Sequence, residues 1–187
     1  MLIKKNIRSL SVEELSIFFK KHGVAKFRAK QVHEWLWKKK AISFDEMTSL
    51  SIRDRELLKN YFSINALTIH KSETSNDGTI KYSLKLYDNK LVEGVLIPSK
   101  KRLTACVSSQ AGCSLSCTFC ATGTLKLERN LDFGEIYDQV FILNEQAKQN
   151  FGRPLSNIVY MGMGEPLLNY DNLIKSVNLI SSKDGLA

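Results

Sequence analysis

Between Ser11 and Tyr61 the apolar residues recur at helical spacing. Ser11-x-x-Glu14, whose side chains can each satisfy the other's backbone N–H at a helix start, is followed by Leu15, Phe18 and Phe19, and Gly23 supplies a stop. Over 27–40, Val32, Trp35 and Leu36 share one face of a second predicted helix that runs into Lys38, Lys39 and Lys40. Ser43-x-x-Glu46 and Ser51-x-x-Asp54 predict two further helix starts. From Ala66 the period falls to two. Ile80, Tyr82, Leu84 and Leu86 alternate with polar residues between the turn signals Asn76-Asp77-Gly78 and Asp88-Asn89. With a third run over 91–97 they predict an antiparallel β-meander, in which Glu93 is an acid set into an apolar strand. A strand glutamate ordinarily faces solvent, so alone it signals little.

After Lys101 strand and helix alternate. A strand over 103–108 leads into a cysteine-rich loop, and Asp132-x-x-Glu135 opens a helix with Ile136, Val140, Leu143 and Ala147 on one face. A β-branched run over 157–161 predicts a buried strand. Gly162-Met163-Gly164-Glu165-Pro166 follows, then a helix with Leu173, Ile174, Val177 and Ile180. This alternation is the grammar of a parallel α/β sheet or barrel. The predicted fold class is α/β, with a helical accessory domain over 1–65, a β-meander over 66–98 and the first βα units of a barrel over 99–187. Two such units cannot close a barrel, so the chain reads as cut short.

Hydrophobic residues make up 43% and charged residues 25%, which is globular composition and excludes a disordered chain. No apolar run has the length of a membrane span, and the start, MLIKKNIRSL, lacks the apolar core of a secretory signal; a cytoplasmic protein is expected. The charge is uneven. Residues 1–102 hold 21 Lys and Arg against 11 Asp and Glu, whereas residues 103–187 hold 6 against 8. A basic first part suits a polyanion, most commonly nucleic acid, though a solvated basic surface with no partner has the same composition. Trp35 and Trp37 among these cations could stack on bases or form a small helical core.

The four cysteines, Cys106, Cys113, Cys117 and Cys120, lie within fifteen residues, the last three spaced C-x3-C-x2-C. In a reducing compartment such a cluster points to metal or catalysis rather than disulfides. Structural zinc wants four ligands in two knuckles; here there is one C-x2-C, and His22, His33 and His70 are upstream and scattered. Three close thiolates suit a [4Fe-4S] cluster with one iron left open to bind S-adenosylmethionine (SAM) and reduce its sulfonium to a 5′-deoxyadenosyl radical. Phe119 stands before the last cysteine and is assigned to the cofactor side.

The stretch 105–123, ACVSSQAGCSLSCTFCATG, resembles the bacterial dual-specificity RNA adenine-C2 methyltransferases of the radical SAM superfamily. So do Phe27-Arg-Ala-Lys-Gln-Val32, Trp35-Leu-Trp37, Phe44-Asp-Glu-Met47, Asp77-Gly-Thr-Ile-Lys81, Arg129-Asn-Leu131 and Met161-Gly-Met-Gly-Glu-Pro-Leu167, in the same order along nearly the whole chain. The resemblance implies that Cys113, Cys117 and Cys120 bind the cluster and that Gly164 and Glu165 contact SAM. It implies that Glu93 accepts the adenine C2 proton and that Cys106 is the resolving thiol of a transient disulfide. The family methylates an adenine of 23S rRNA and one beside the tRNA anticodon through a methylated cysteine, with the target base looped or flipped out. It further implies a monomer, with a flavodoxin-like electron donor and no membrane. The methyl-carrying cysteine of the family lies in a later region, so residues 1–187 alone are expected not to turn over. Without the resemblance, Gly-Glu-Pro reads as a strand-to-helix turn and Cys106 as a small buried residue. The related adenine-C8 methyltransferase is the nearest alternative, against which Pro166 speaks; an RNA-binding module with a structural metal is the alternative outside enzymes.

Overall fold

A computed structural model of the chain describes residues 4–183, 185 and 186. The chain divides after Asn65: residues up to there, with a short stretch from Ser182 on, form one unit, and Ala66–Ser181 form the other.

In the first unit β1 (Lys5–Asn6) precedes three helices, α1 (Val12–Lys21), α2 (Arg28–Trp37) and α3 (Ile52–Tyr61), and β2 (Phe62–Ser63) returns parallel to β1. Ser11 and Glu14 form the predicted capping box, and Gly23 takes a left-handed φ of 69° just past α1. Leu15, Phe19, Val32, Leu36, Trp37, Met47 and Leu58 fill the core. Trp37 is therefore a core residue, with the Arg8 guanidinium 4.8 Å from its ring centre. Trp35 is half-buried and donates its indole N–H to Ser49 Oγ at 2.8 Å. Ser43 starts only a single 3-10 turn, Phe44–Glu46, rather than the expected helix. Phe44, Met47 and Leu50 are all buried, so the chain must turn inward at each of them, and helix resumes only behind Ser51.

The second unit is built on a five-stranded sheet, β3 (Thr68–Thr74), β4 (Ile80–Lys85), β5 (Leu91–Pro98), β6 (Leu103–Cys106) and, at the far edge, β9 (Asn157–Val159). The first four run antiparallel as a meander, and β6 pairs parallel with β9. Gly78 (φ 84°) and Asn89 (φ 66°) make the two turns that the sequence marked. Two short strands, β7 (Gln110–Ala111) and β8 (Arg129–Asn130), pair with each other. The helix α4 (Phe133–Phe151) lies between β8 and β9, and α5 (Tyr170–Ile180) ends the unit. The result is the expected mixed α/β architecture.

The pleat sorts this sheet into two faces. Ile80, Tyr82, Leu84, Val92, Leu96, Leu103 and Ala105 are buried, and α4 covers them with Ile136, Val140, Leu143 and Ala147. Gly94 is where helix and sheet approach most tightly: a Cβ there would stand 3.2 Å from Leu143 Cδ1 and 3.3 Å from Leu84 Cδ1. Burying these apolar side chains contributes about 1.5–3 kcal/mol each relative to exposure.

Three expectations need correction. The strand predicted over 103–108 ends at Cys106: the Val107 N–H still reaches Val159 O on β9, but the Val107 carbonyl accepts from the Gly162 N–H and the Ser108 peptide is taken by the Gln139 side chain. The strand over 157–161 stops at Val159; as the edge of the sheet it is half-buried rather than fully covered, and Met161 is 79% exposed. The apolar face of α5 is not buried either, since Ile174 and Val177 are 38% and 37% exposed, and Ser176 is its one buried position.

Candidate active site

Cys113, Cys117 and Cys120 lie on the loop that leaves β7 and returns through β8. Its two legs are held by their own short ladder, Gln110 opposite Asn130 and Ala111 opposite Arg129, and the Glu128 N–H donates to Ala111 O at 2.8 Å. Gly112, at φ 77°, carries the chain through a gap that no side chain could share: a Cβ would fall 2.0 Å from Lys126 O. Within the loop the Cys120 N–H donates to Cys117 O at 3.1 Å, closing a tight turn that brings these two residues onto one bend, and Gly123 continues with a bond to Cys120 O. Gly123 also packs against Cys117, whose carbonyl would be 2.6 Å from a Cβ.

All four cysteines are free thiols. The Leu115 N–H points at Cys113 Sγ at 3.4 Å, the kind of N–H···S contact that tunes iron–sulfur sites. Cys113 also lines an open cleft of about 300 Å³ with Ser114, Ser116, Gly123 and Lys126. The donor chemistry, three soft thiols on one folded loop, fits a cubane cluster. The side chains are not gathered around a point: among the described residues no group of three or more His, Cys, Asp and Glu stands close enough to hold a metal ion. Phe119 is 92% exposed beside them.

The Gly162–Pro166 turn lies against the start of this loop. Gly162 passes so close to β6's continuation that a Cβ would meet Ser108 Oγ at 2.7 Å, and Gly164, at φ 90°, would meet Gln110 Cβ at 2.5 Å. Ser109 and Gln110 donate their N–H groups to Met163 O at 2.9 and 3.2 Å. Glu165 sits at the head of a 3-10 turn, Pro166–Asn169, with one carboxylate oxygen accepting from the Leu167 N–H at 3.0 Å. The structure thus brings the predicted SAM pair beside the root of the cysteine loop.

Glu93 and Cys106 share the sheet face that α4 does not cover. Cys106 lies opposite Val95, and Glu93 is two residues from Val95 on the same strand, so both point to one side. Glu93 is exposed and pairs with Lys81 at 3.3 Å in a charged row that continues through Glu73 to Lys71. Cys106, at the C-terminal end of β6, is 9% exposed. Burial pushes its thiol above the ordinary cysteine value, with a backbone hydrogen bond from Met161 acting against this.

Several structural supports escaped the sequence reading. Arg129 forks onto Glu135 with two bonds of 2.8 Å and onto Asp88 at 2.7 Å, tying the returning leg of the loop to the start of α4 and to the β4–β5 turn. Glu135 is 1% exposed on its side chain, and its burial pushes the carboxyl up, while Arg129 holds the Asp88 carboxyl below its usual value. Gln139 clamps the Ser108 peptide on both sides, and Ser108 Oγ bridges Glu93 O and the Met163 N–H. The one signal in the sequence was the small polar run Ser108-Ser109-Gln110 directly after an apolar strand, whose polar atoms need partners if buried.

A chain with these elements is the kind of fold seen in radical SAM methyltransferases: a solved structure from Sphaerobacter thermophilus, described as a radical SAM methyltransferase, superposes with a TM-score of 0.80 at 36% identity, over 97% of this chain and 53% of that one. Residues 5–64 match the family described as the ribosomal RNA large subunit methyltransferase N-terminal domain. A protein of Cytophaga hutchinsonii named probable dual-specificity RNA methyltransferase RlmN is 57% identical over 98% of this chain and 50% of its own length. The dual-specificity RNA methyltransferase RlmN of Oleidesulfovibrio alaskensis is 46% identical over 97% of this chain and 51% of its own. Over nearly all of its residues the chain is similar to these dual-specificity RNA methyltransferases, and it spans about half the length of the curated relatives it matches.

Proposed function

We propose that the chain carries the cluster-binding and SAM-contacting residues of a radical SAM enzyme that methylates C2 of a specific adenine in 23S rRNA and in tRNA, acting in the cytoplasm with a flavodoxin-like electron donor. The observation that carries this reading is the cysteine loop, rooted by hydrogen bonds against the Gly164–Glu165 turn. Cys113, Cys117 and Cys120 would hold a [4Fe-4S] cluster, and Glu165 would meet the SAM ammonium across the bend that Gly164 makes possible. When bound, the cluster and SAM supply a one-electron reduction of the sulfonium and hence a radical able to react at an electron-poor carbon.

The chain's own residues do the rest. Glu93, exposed beside Lys81, would take the proton from adenine C2. Cys106, on the same sheet face, would act as the resolving thiol. The base must leave its stack to reach this face, which suits a loop or a flipped nucleotide.

Anaerobic reconstitution with iron and sulfide tests the reading. About four irons per chain with brown visible absorbance that changes on adding SAM are expected, and Cys117→Ser should abolish both. Stoichiometric zinc with no response to SAM would replace it with the RNA-binding module. Mass spectrometry of RNA from cells carrying the whole gene separates adenine C2 from C8.

A further inference from the structure

We infer that Gln110 and Asn169 are positioning residues that lock the SAM-contacting turn to both legs of the cysteine loop, so that SAM affinity depends on two side chains that do not themselves touch SAM. The inference rests on the cluster and SAM assignments above and adds to them the device that keeps the two sites in register.

Both side chains are buried, Gln110 at 1% and Asn169 at 4% exposure, and each spends its amide on linking segments distant in sequence. Gln110 Oε1 accepts from the Glu165 N–H at 2.9 Å, while its Nε2 donates to Asn130 Oδ1 at 2.7 Å. One side chain thus joins the SAM turn to the returning strand β8. Asn169 Nδ2 donates to Ser109 O and to Leu131 O, both at 2.8 Å, one carbonyl on each leg of the loop. Asn172 fixes the Asn169 amide in turn by donating to its Oδ1 at 2.9 Å. Gly164 leaves room for the Gln110 stem, which any larger residue would displace.

The turn over 163–169 and the root of the cysteine loop are therefore one hydrogen-bonded body. The Glu165 peptide is held directly by Gln110, and its carboxylate sits on the same few atoms of backbone. Cutting the clamp leaves the SAM-facing carboxylate and the three thiols intact but lets their separation wander. A ligand that must engage both then binds only the fraction of molecules in register, and its apparent affinity falls by that fraction.

The test compares wild-type protein with Gln110→Ala and Asn169→Ala after anaerobic loading with iron and sulfide. Equilibrium dialysis gives the SAM Kd, iron analysis the loading, and hydrogen exchange of the unloaded protein the protection at Glu165. SAM binding about tenfold weaker is expected, at wild-type iron content and with faster exchange at Glu165. A role limited to general stability would lower the melting temperature and leave the SAM Kd of loaded protein unchanged, and that result overturns the inference. Should Gln110→Ala unfold before loading, Asn130→Ala removes only the outer end of the clamp and is expected to weaken SAM about threefold; an unchanged Kd there overturns the inference equally. Wild-type protein that holds iron and binds SAM while the variants match it sinks the clamp alone, whereas wild-type protein that holds no iron sinks the cluster assignment with it.

Discussion

Cys106 differs from the other three cysteines in its surroundings more than in its sequence. It ends a strand inside the sheet, with a thiol that burial holds in the protonated form, whereas Cys117 is exposed in the loop. Because the thiolate is the reactive species, iodoacetamide is expected to modify Cys106 at least about tenfold more slowly than Cys117 in unloaded protein at pH 7.5. Its rate should keep climbing with pH beyond the range of an ordinary cysteine. Peptide mass spectrometry of a timed reaction measures both, and equal rates would show that the β6 end opens freely. The cysteines were legible at this scale from spacing alone. The separation of Cys106 from its neighbours was legible as well, since it lies seven residues before Cys113, outside the C-x3-C-x2-C spacing. What spacing could not show is that Cys106 and Glu93 lie on one face, which follows only from the register of β5 against β6.

Among the elements, helix starts were the most readable. Ser11-x-x-Glu14 and Asp132-x-x-Glu135 both became reciprocal capping boxes, because the bonds they make are local. Ser43 offered the same kind of signal and gave one turn, since buried Phe44, Met47 and Leu50 outweigh a helix end worth about 1 kcal/mol. The supports of the cysteine loop were illegible for the opposite reason: Gln110 and Asn169 act on partners that the chain reaches only after long excursions. Arg129 joins a partner near in sequence, Glu135, to a distant one, Asp88. Its removal would leave Glu135 buried without its cation and is expected to destabilise the protein by about 3 kcal/mol at pH 7. Glu135 has a raised carboxyl pKa, so protonation relieves that cost as pH falls, and the deficit of Arg129→Ala should shrink between pH 7 and pH 5; Asp88, held low by Arg129, gives up its stabilisation only at lower pH and leaves this window unaffected. Chemical denaturation at the two pH values measures it, and a deficit independent of pH would count against an ionised Glu135.

For the molecule as a whole, charge separates the two parts more sharply than composition does. The helical unit presents exposed Lys20, Lys21, Lys26, Lys30, Lys38 and Lys39, and the half of the chain after residue 102 has no excess of cations. If the first meets RNA phosphates, affinity should fall with salt, and Lys30→Ala with Lys38→Ala should flatten the log–log slope by about one for each lysine that meets a phosphate. Filter binding to an rRNA or tRNA stem-loop over a salt series provides the slope; an unaltered slope would remove these two lysines from the RNA face. No helix among the described residues is long and apolar enough to cross a membrane.

The paired root of the cysteine loop has a consequence for how such a protein can change. Since β7 and β8 close on each other before the chain departs, whatever happens between Gly112 and Glu128 is quarantined from the sheet that bears Glu93 and Cys106. Exposed positions of the loop other than its cysteines and close-packed glycines can therefore change in character with the framework beneath left in place.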